Sequence, residues 1–514
     1  MSEQLALLPG YLTAHLQLTL LALLAGIVFS IPAGVLVTRR RWLEQPVLGT
    51  ATIIQTIPSL ALLAIMVPAL AALGFTSIGF LPAFIGLTLY SVLPILRNTV
   101  TGLAGVDPAL IEAAQGVGMT PAQCLRRVEL PLAMPVILAG IRTSAVLTVG
   151  VATLSTPVGA PSLGNYIFSG LQTRNLTAVL VGCIAAAVLA LSLDGLVRAL
   201  GAAIVQRKTG WAAAVLTMVG LLYGYTGISV VQGMRARDGG RVVVGAKTFT
   251  EQYILSEILA GQIRNITGAD TEIVSSLGST VVFDALRAGE IDVYVDYSGT
   301  IWATIMRREG AAGGRAEVLN DVQQFLNGQH GIETVGALGF ENAYALAMRR
   351  RQAEEAGIRT ISDLTAHARR LVMGGDYEFF GRREWFSIRD TYALAFSDQR
   401  TMDPSLMYQA AASGQVDVIS AFSTDGRIAA FDLLVLEDER GAIPPYDAVI
   451  LAGPRLVRER PDVVSALRQL AGTIDAARMR GMNLAVDQDG ISPATVAAAF
   501  LMELRGNDDR RRAR

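Results

Sequence analysis

Along the first 231 residues, mostly apolar positions gather into six stretches, near 12–38, 47–73, 78–96, 132–157, 176–200 and 211–231, with charges confined to their flanks. A helix of about 20 apolar residues crosses a bilayer, so each stretch predicts a span, and six in succession argue against an all-buried soluble bundle. Beyond Arg241 the pattern changes. Arg241-Val-Val-Val-Gly, Ile291 to Asp296, Arg370 to Gly374 and Val416 to Ser420 read as short strands. Thr248 to Gln262, Thr280 to Ala288, Pro404 to Ser413 and Pro461 to Met479 read as helices between them, with Thr250 a candidate N-cap. This alternation predicts an α/β architecture with largely parallel sheets in two lobes about a cleft. The expected organisation is a helical transmembrane domain over residues 1–235, a two-lobe α/β domain over 239–508 and a disordered charged tail, 509–514. No internal repeat is visible.

Composition agrees: of 514 residues, 52% are hydrophobic and only 17% charged, too apolar for a soluble chain of this length. The net charge of −1 gives no reason to expect nucleic acid as a partner. It conceals an asymmetry, because residues 1–238 hold 13 basic and 7 acidic groups and the remainder 30 and 37. Within the apolar part, Arg39, Arg40, Arg41, Arg97, Arg126, Arg127, Arg198, Arg207 and Lys208 cluster at alternate connections, whereas the other short loops add little beyond Arg174. The positive-inside rule then puts the basic connections in the cytoplasm, and the N-terminus and everything after about Val231 outside. Arg142 falls inside the fourth span near its cytoplasmic end, where snorkelling to the interface is the expected account. Two cysteines, Cys124 and Cys183, cannot form a disulfide framework.

The sharpest chemical signal lies in the connection between the third and fourth spans. Glu112-Ala113-Ala114, three residues, Gly118, nine residues and Val128-Glu129-Leu130-Pro131 stand in order there. A short helix, a glycine that lets the chain turn and a proline before the next span suit a docking element. The spacing resembles the E-A-A, x3, G, x9, I-x-L-P loop of ABC-importer permeases, with valine for isoleucine. That resemblance implies that Glu112, Ala113, Ala114 and Gly118 seat in an ATPase subunit. No G-x-x-x-x-G-K-[ST] phosphate loop occurs, and the only lysines are Lys208 and Lys247. ATP is therefore expected to be used by a partner, with no cofactor on this chain. One six-span permease per chain implies a second copy of the chain and two ATPase subunits.

The second half resembles the substrate-binding proteins of glycine betaine, choline and carnitine importers, the osmoprotectant or quaternary-amine family. Gly245-Ala-Lys-Thr-Phe-Thr-Glu-Gln, Leu277-Gly-Ser-Thr, Asp296-Tyr-Ser-Gly-Thr, Gly339-Phe-Glu-Asn-Ala-Tyr-Ala-Leu, Ala421-Phe-Ser-Thr-Asp-Gly and Pro444-Pro-Tyr-Asp carry the match in family order. The resemblance implies a periplasmic-binding-protein-like fold fused to its permease in the cytoplasmic (inner) membrane of a bacterium. A quaternary ammonium has no N–H to donate, and aromatic faces attract it through cation–π contact. The family builds a tyrosine cage for it; here Tyr297, Tyr344 and Tyr446 match, and Phe422 stands where the family has tyrosine. Lys247, Thr300 and Arg382, or Arg383 in place of Arg382, fall where the family meets a betaine carboxylate. Lys247 is also the single lysine of the second half, beside 29 arginines. The ligand stays open among glycine betaine, choline, carnitine, and ergothioneine or another betainised amino acid. A ligand-gated channel or sensor with a binding-protein ectodomain is the alternative class, but neither a pore filter nor a signalling domain is visible. With only His15, His330 and His367 and no triad or metal spacing, an enzyme is not expected.

Overall fold

The computed structural model describes residues 2–173, 175–206, 208–237, 240–308 and 314–512, so Arg174 and Arg207 lie outside the described residues. The chain divides into two compact units, Met1–Ile167 with Thr177–Gly239, and Phe168–Leu176 with Gly240–Arg514.

Among the described residues of the first unit five helices are long and apolar enough to cross a membrane: Leu5–Arg39, Phe80–Ala104, Pro121–Val158, Leu176–Val205 and Thr209–Val230. The expected second span is broken instead into Glu44–Thr56 and Ser59–Ala72, which meet at 100°. Pro58 causes the break, because proline drives the residue before it out of the α region, and Ile57 is extended at ψ 128°. The span count is thus five, or six if the bent pair crosses as one. Small residues let the helices approach closely: a Cβ at Gly34 would meet Thr99 at 2.6 Å, and one at Gly140 would meet the Pro94 carbonyl at 2.7 Å. Arg142 corrects the snorkelling expectation. Its guanidinium donates to both carboxylate oxygens of Asp194, at 2.8 and 3.2 Å, so a charge inside one helix is answered from another.

Among its described residues the second unit holds ten strands in two five-stranded sheets. The first sheet has the order β2-β1-β3-β10-β4, from β1 (Val242–Lys247), β2 (Thr271–Leu277), β3 (Val293–Tyr297), β4 (Glu333–Glu341) and β10 (Asp447–Ala452). The second has the order β7-β6-β8-β5-β9, from β5 (Tyr344–Arg349), β6 (Val372–Gly375), β7 (Asp398–Thr401), β8 (Val418–Phe422) and β9 (Leu433–Val435). These are mixed sheets: in each, two strand pairs are parallel and two antiparallel, because β10 and β5 run against their neighbours. The expectation of largely parallel sheets therefore holds for half of each. Both have the same pattern of orders and directions, a repetition that the sequence hides. The chain crosses between the sheets twice, forward after β4 and back before β10, and the Asn342 amide donates to the Tyr446 carbonyl at 2.9 Å to hold the two crossings together.

Two local expectations are corrected. Thr250 is the first helical residue rather than the cap: Phe249 is extended at the N-cap, and the Thr250 hydroxyl donates to Asp487 at 2.7 Å. The helix expected over Pro461 to Met479 is two, Pro461–Arg468 and Ala476–Asp487. Between them Gly472 takes φ +71° and its amide bonds the Ala337 carbonyl of β4. The last helix, Pro493–Arg512, runs into the expected tail; residues 513 and 514 lie outside the described residues.

Candidate functional site

In the transmembrane unit, the loop after the helix Phe80–Ala104 is ordered by its own capping chemistry. Asp107 caps the helix Pro108–Gly116, accepting from the Ala109 amide at 2.9 Å, with Pro108 at the first turn, where its missing N–H costs nothing. The helix ends in a Schellman arrangement: the Met119 amide bonds the Ala114 carbonyl at 3.1 Å and the Gly118 amide that of Gln115 at 2.9 Å. Gly118 sits at φ +86°, a conformation costly for any residue with a Cβ. Of the four loop residues singled out, Ala114 is buried while Glu112, Ala113 and Gly118 are exposed. Leu110 and Val117 are exposed beside them, adding an apolar component that the sequence reading did not name. At the far end Glu129 is buried and takes a bidentate pair from Arg39, at 2.6 and 2.8 Å, which anchors the loop to the first span.

In the α/β unit the aromatic residues converge from both sheets. Tyr297 ends β3 and Tyr446 precedes β10 in the first sheet; Tyr344 and Phe422, cross-strand partners on β5 and β8, come from the second. Tyr344 lies 4.8 Å from Phe422 and 6.1 Å from Tyr446 between ring centroids. Phe249, which sequence reasoning passed over, links the two sides: it stacks on Tyr297 at 6.2 Å and on Phe422 at 6.1 Å. Its signal was present, since it lies inside the matched segment after Lys247. Gly299 makes room for one wall, because a Cβ there would strike the Tyr446 ring at 2.6 Å.

Each cage tyrosine hydroxyl of the first sheet donates to a buried carboxylate. Tyr297 donates to Glu251 at 2.6 Å, and Tyr446 donates to Glu384. Burial raises all three tyrosines well above the ordinary phenol value, so they stay neutral.

Lys247 reaches the cage, with Nζ 5.5 Å from the Tyr297 centroid, but its ammonium is not free. Asp296 accepts from it at 2.5 Å and from the Tyr294 hydroxyl at 2.5 Å. Lys247 thus forms a buried ion pair at the foot of the cage. Arg382 lies over the Tyr344 ring at 5.4 Å and pairs with Glu378 at 2.8 Å and Glu384 at 3.4 Å, while its Nε is buried with no hydrogen-bond partner. Arg383 is turned away, donating to the Arg308 carbonyl at 2.7 Å, so Arg382 is the arginine at the rings. Thr300 is buried in the turn directly after Tyr297.

A helical membrane domain with this loop, joined to a two-lobe domain with an inter-sheet aromatic cluster, defines an ABC-importer permease that carries its own binding domain. Comparison with known proteins agrees. Residues 240–503 match the substrate-binding domain of ABC-type glycine betaine transport systems, and residues 26–206 match the inner-membrane component of binding-protein-dependent transport systems. The chain belongs to the family of ABC-type glycine betaine transport systems, with permease and binding domain fused. It is similar to the ergothioneine transport permease/ergothioneine binding protein EgtU of Helicobacter pylori (strain G27), 29% identical over 93% of this chain and 87% of that one. It is also similar to the choline transport system permease protein OpuBB of Bacillus subtilis (strain 168), 44% identical over 35% of this chain and 80% of that one. The osmoprotectant import permease protein OsmW of Salmonella typhimurium (strain LT2) is 43% identical over 37% of this chain and 90% of that one. The chain is thus a multi-pass inner-membrane transporter subunit, with an ATPase partner and a small solute.

Proposed function

We propose that the chain captures a small quaternary-ammonium or betaine-type solute in its α/β domain and passes it to a permease formed by two copies of the chain on two ATPase subunits. The observation that carries the solute class is the convergence of Tyr297, Tyr446 and Phe249 from one sheet with Tyr344 and Phe422 from the other. Five π faces between two lobes suit a cation without N–H groups. Arg382 supports the carboxylate of a betaine, since its buried Nε is a donor with no hydrogen-bond partner. Orientation follows from parity. Arg39 to Arg41 end the first span and Arg126 and Arg127 follow the helix Phe80–Ala104, so both connections are cytoplasmic only if the bent pair between them crosses once. That puts the N-terminus and the binding domain outside, and Glu112, Ala113, Ala114 and Gly118 on the ATPase side.

Ergothioneine, itself a betaine, is a second reading, favoured by the length of the match to EgtU. The test is calorimetry of the full chain in lipid nanodiscs with glycine betaine, choline, carnitine and ergothioneine. One of them should bind saturably, and binding of none by a demonstrably folded chain overturns the solute class.

A further inference from the structure

Glu251 lies on the first turn of the helix Thr250–Thr267 and is 2% exposed. A carboxylate so deeply buried needs partners, and it has four donors: Tyr297 Oη at 2.6 Å and Asn342 Nδ2 at 3.0 Å on one oxygen, Thr424 Oγ1 at 2.5 Å and Asn483 Nδ2 at 3.1 Å on the other. No ion pair reaches it among the described residues. The other carboxylates at the cage each meet a cation, Asp296 from Lys247 and both Glu378 and Glu384 from Arg382, whereas Glu251 meets none. Asn342 and Asn483 turn their N–H groups to Glu251 although their own Oδ1 atoms are buried without a partner. All four contacts run as donors toward the carboxylate, and the positive end of the helix favours its ionised form. Desolvation pushes the carboxyl above its ordinary value, while the donors from Thr424, Tyr297, Asn483 and Asn342 pull against it.

The charge is wired to the cage. Gln252 Nε2 donates to the Tyr297 hydroxyl at 3.0 Å, and that hydroxyl donates to Glu251. Polarised toward an anion, the phenol presents a more electron-rich ring to a cation.

We propose that Glu251 is a specificity-determining residue for charge: its carboxylate, paired with no cation, makes the cage prefer a quaternary ammonium over a neutral molecule of the same shape. This rests on the solute class proposed above. Glu251→Gln keeps the volume, and the Thr424 hydroxyl and the Asn483 amide each have an acceptor to turn toward the new N–H₂.

The experiment is calorimetry on the full chain in nanodiscs with choline and with the neutral alcohol in which carbon replaces the choline nitrogen. Wild type should prefer choline, and Glu251→Gln should weaken choline about tenfold while leaving the alcohol within about twofold. Tyr297→Phe, which breaks the relay but keeps ring and carboxylate, should cost choline about threefold and the alcohol nothing. Equal loss of both ligands in folded variants assigns Glu251 a structural role and overturns the proposal. Wild type binding the two ligands alike also overturns it. No binding of any quaternary amine by wild type is a different result, which removes the solute class itself and this inference with it.

Discussion

At the scale of the residue, function rests on a few side chains whose surroundings can be altered one at a time. Truncating Tyr297 or Tyr446 to alanine should weaken a quaternary-amine ligand by about 1–2 kcal/mol, roughly 5- to 30-fold, through loss of a π face. Arg382→Ala should weaken a carboxylate-bearing betaine far more than choline in the same titration; equal losses would mean that the arginine only buttresses Glu384. Phe422→Tyr should be tolerated. Glu251 also sets a pH dependence. Its folded value is raised, so the folded state holds the proton more tightly than the unfolded chain, and the group's contribution to stability falls as pH rises from the ordinary carboxylate range through the folded value. Denaturation of wild type and Glu251→Gln across that range should show the variant gaining on wild type as pH rises; a constant difference would contradict the sign.

At the scale of the element, the coupling and topology proposed above rest on the loop and the bent helix pair. Gly118→Asp breaks the Schellman end at φ +86° and sets a charge among Leu110, Val117 and Glu112. It should abolish transport and ligand-stimulated ATP hydrolysis while leaving calorimetric binding intact. In a Cys183→Ser background, a cysteine at Thr76 should react with an impermeant reagent in intact cells and one at Gln123 should not; labelling of both would mean that the bent pair does not cross. This is also where legibility in the sequence fails. Apolar length located the helices but not the break at Pro58, since hydropathy is blind to backbone direction. Likewise Arg142 was visible as a charge in a span, but its partner Asp194, 52 residues away, is a fact of packing. The capped loop, by contrast, was readable because glycine and proline act locally.

At the scale of the whole molecule, each unit described has its own core, and the buried cluster that includes Val244, Leu259, Val295, Leu346, Trp385 and Ile450 lies entirely after residue 240. Residues 240–508 expressed alone should therefore fold cooperatively and bind the same ligand as the full chain; a molten product would refute that independence. The aromatic positions were legible because each lies in a matched segment, whereas Phe249 and Glu251 were not singled out, since only the folded sheets reveal that one ring and one carboxylate join the two sides. The paired crossings have a mechanical consequence. Tyr344 stands just past the forward crossing and Tyr446 just past the return, bonded together through Asn342, so both rings sit near the pivot of any rocking between lobes. Phe422, paired across the strands with Tyr344, and Tyr297, beside Tyr446 on the neighbouring strand, share that position. Should the lobes rock, the cage would turn about these rings rather than be pulled apart at them.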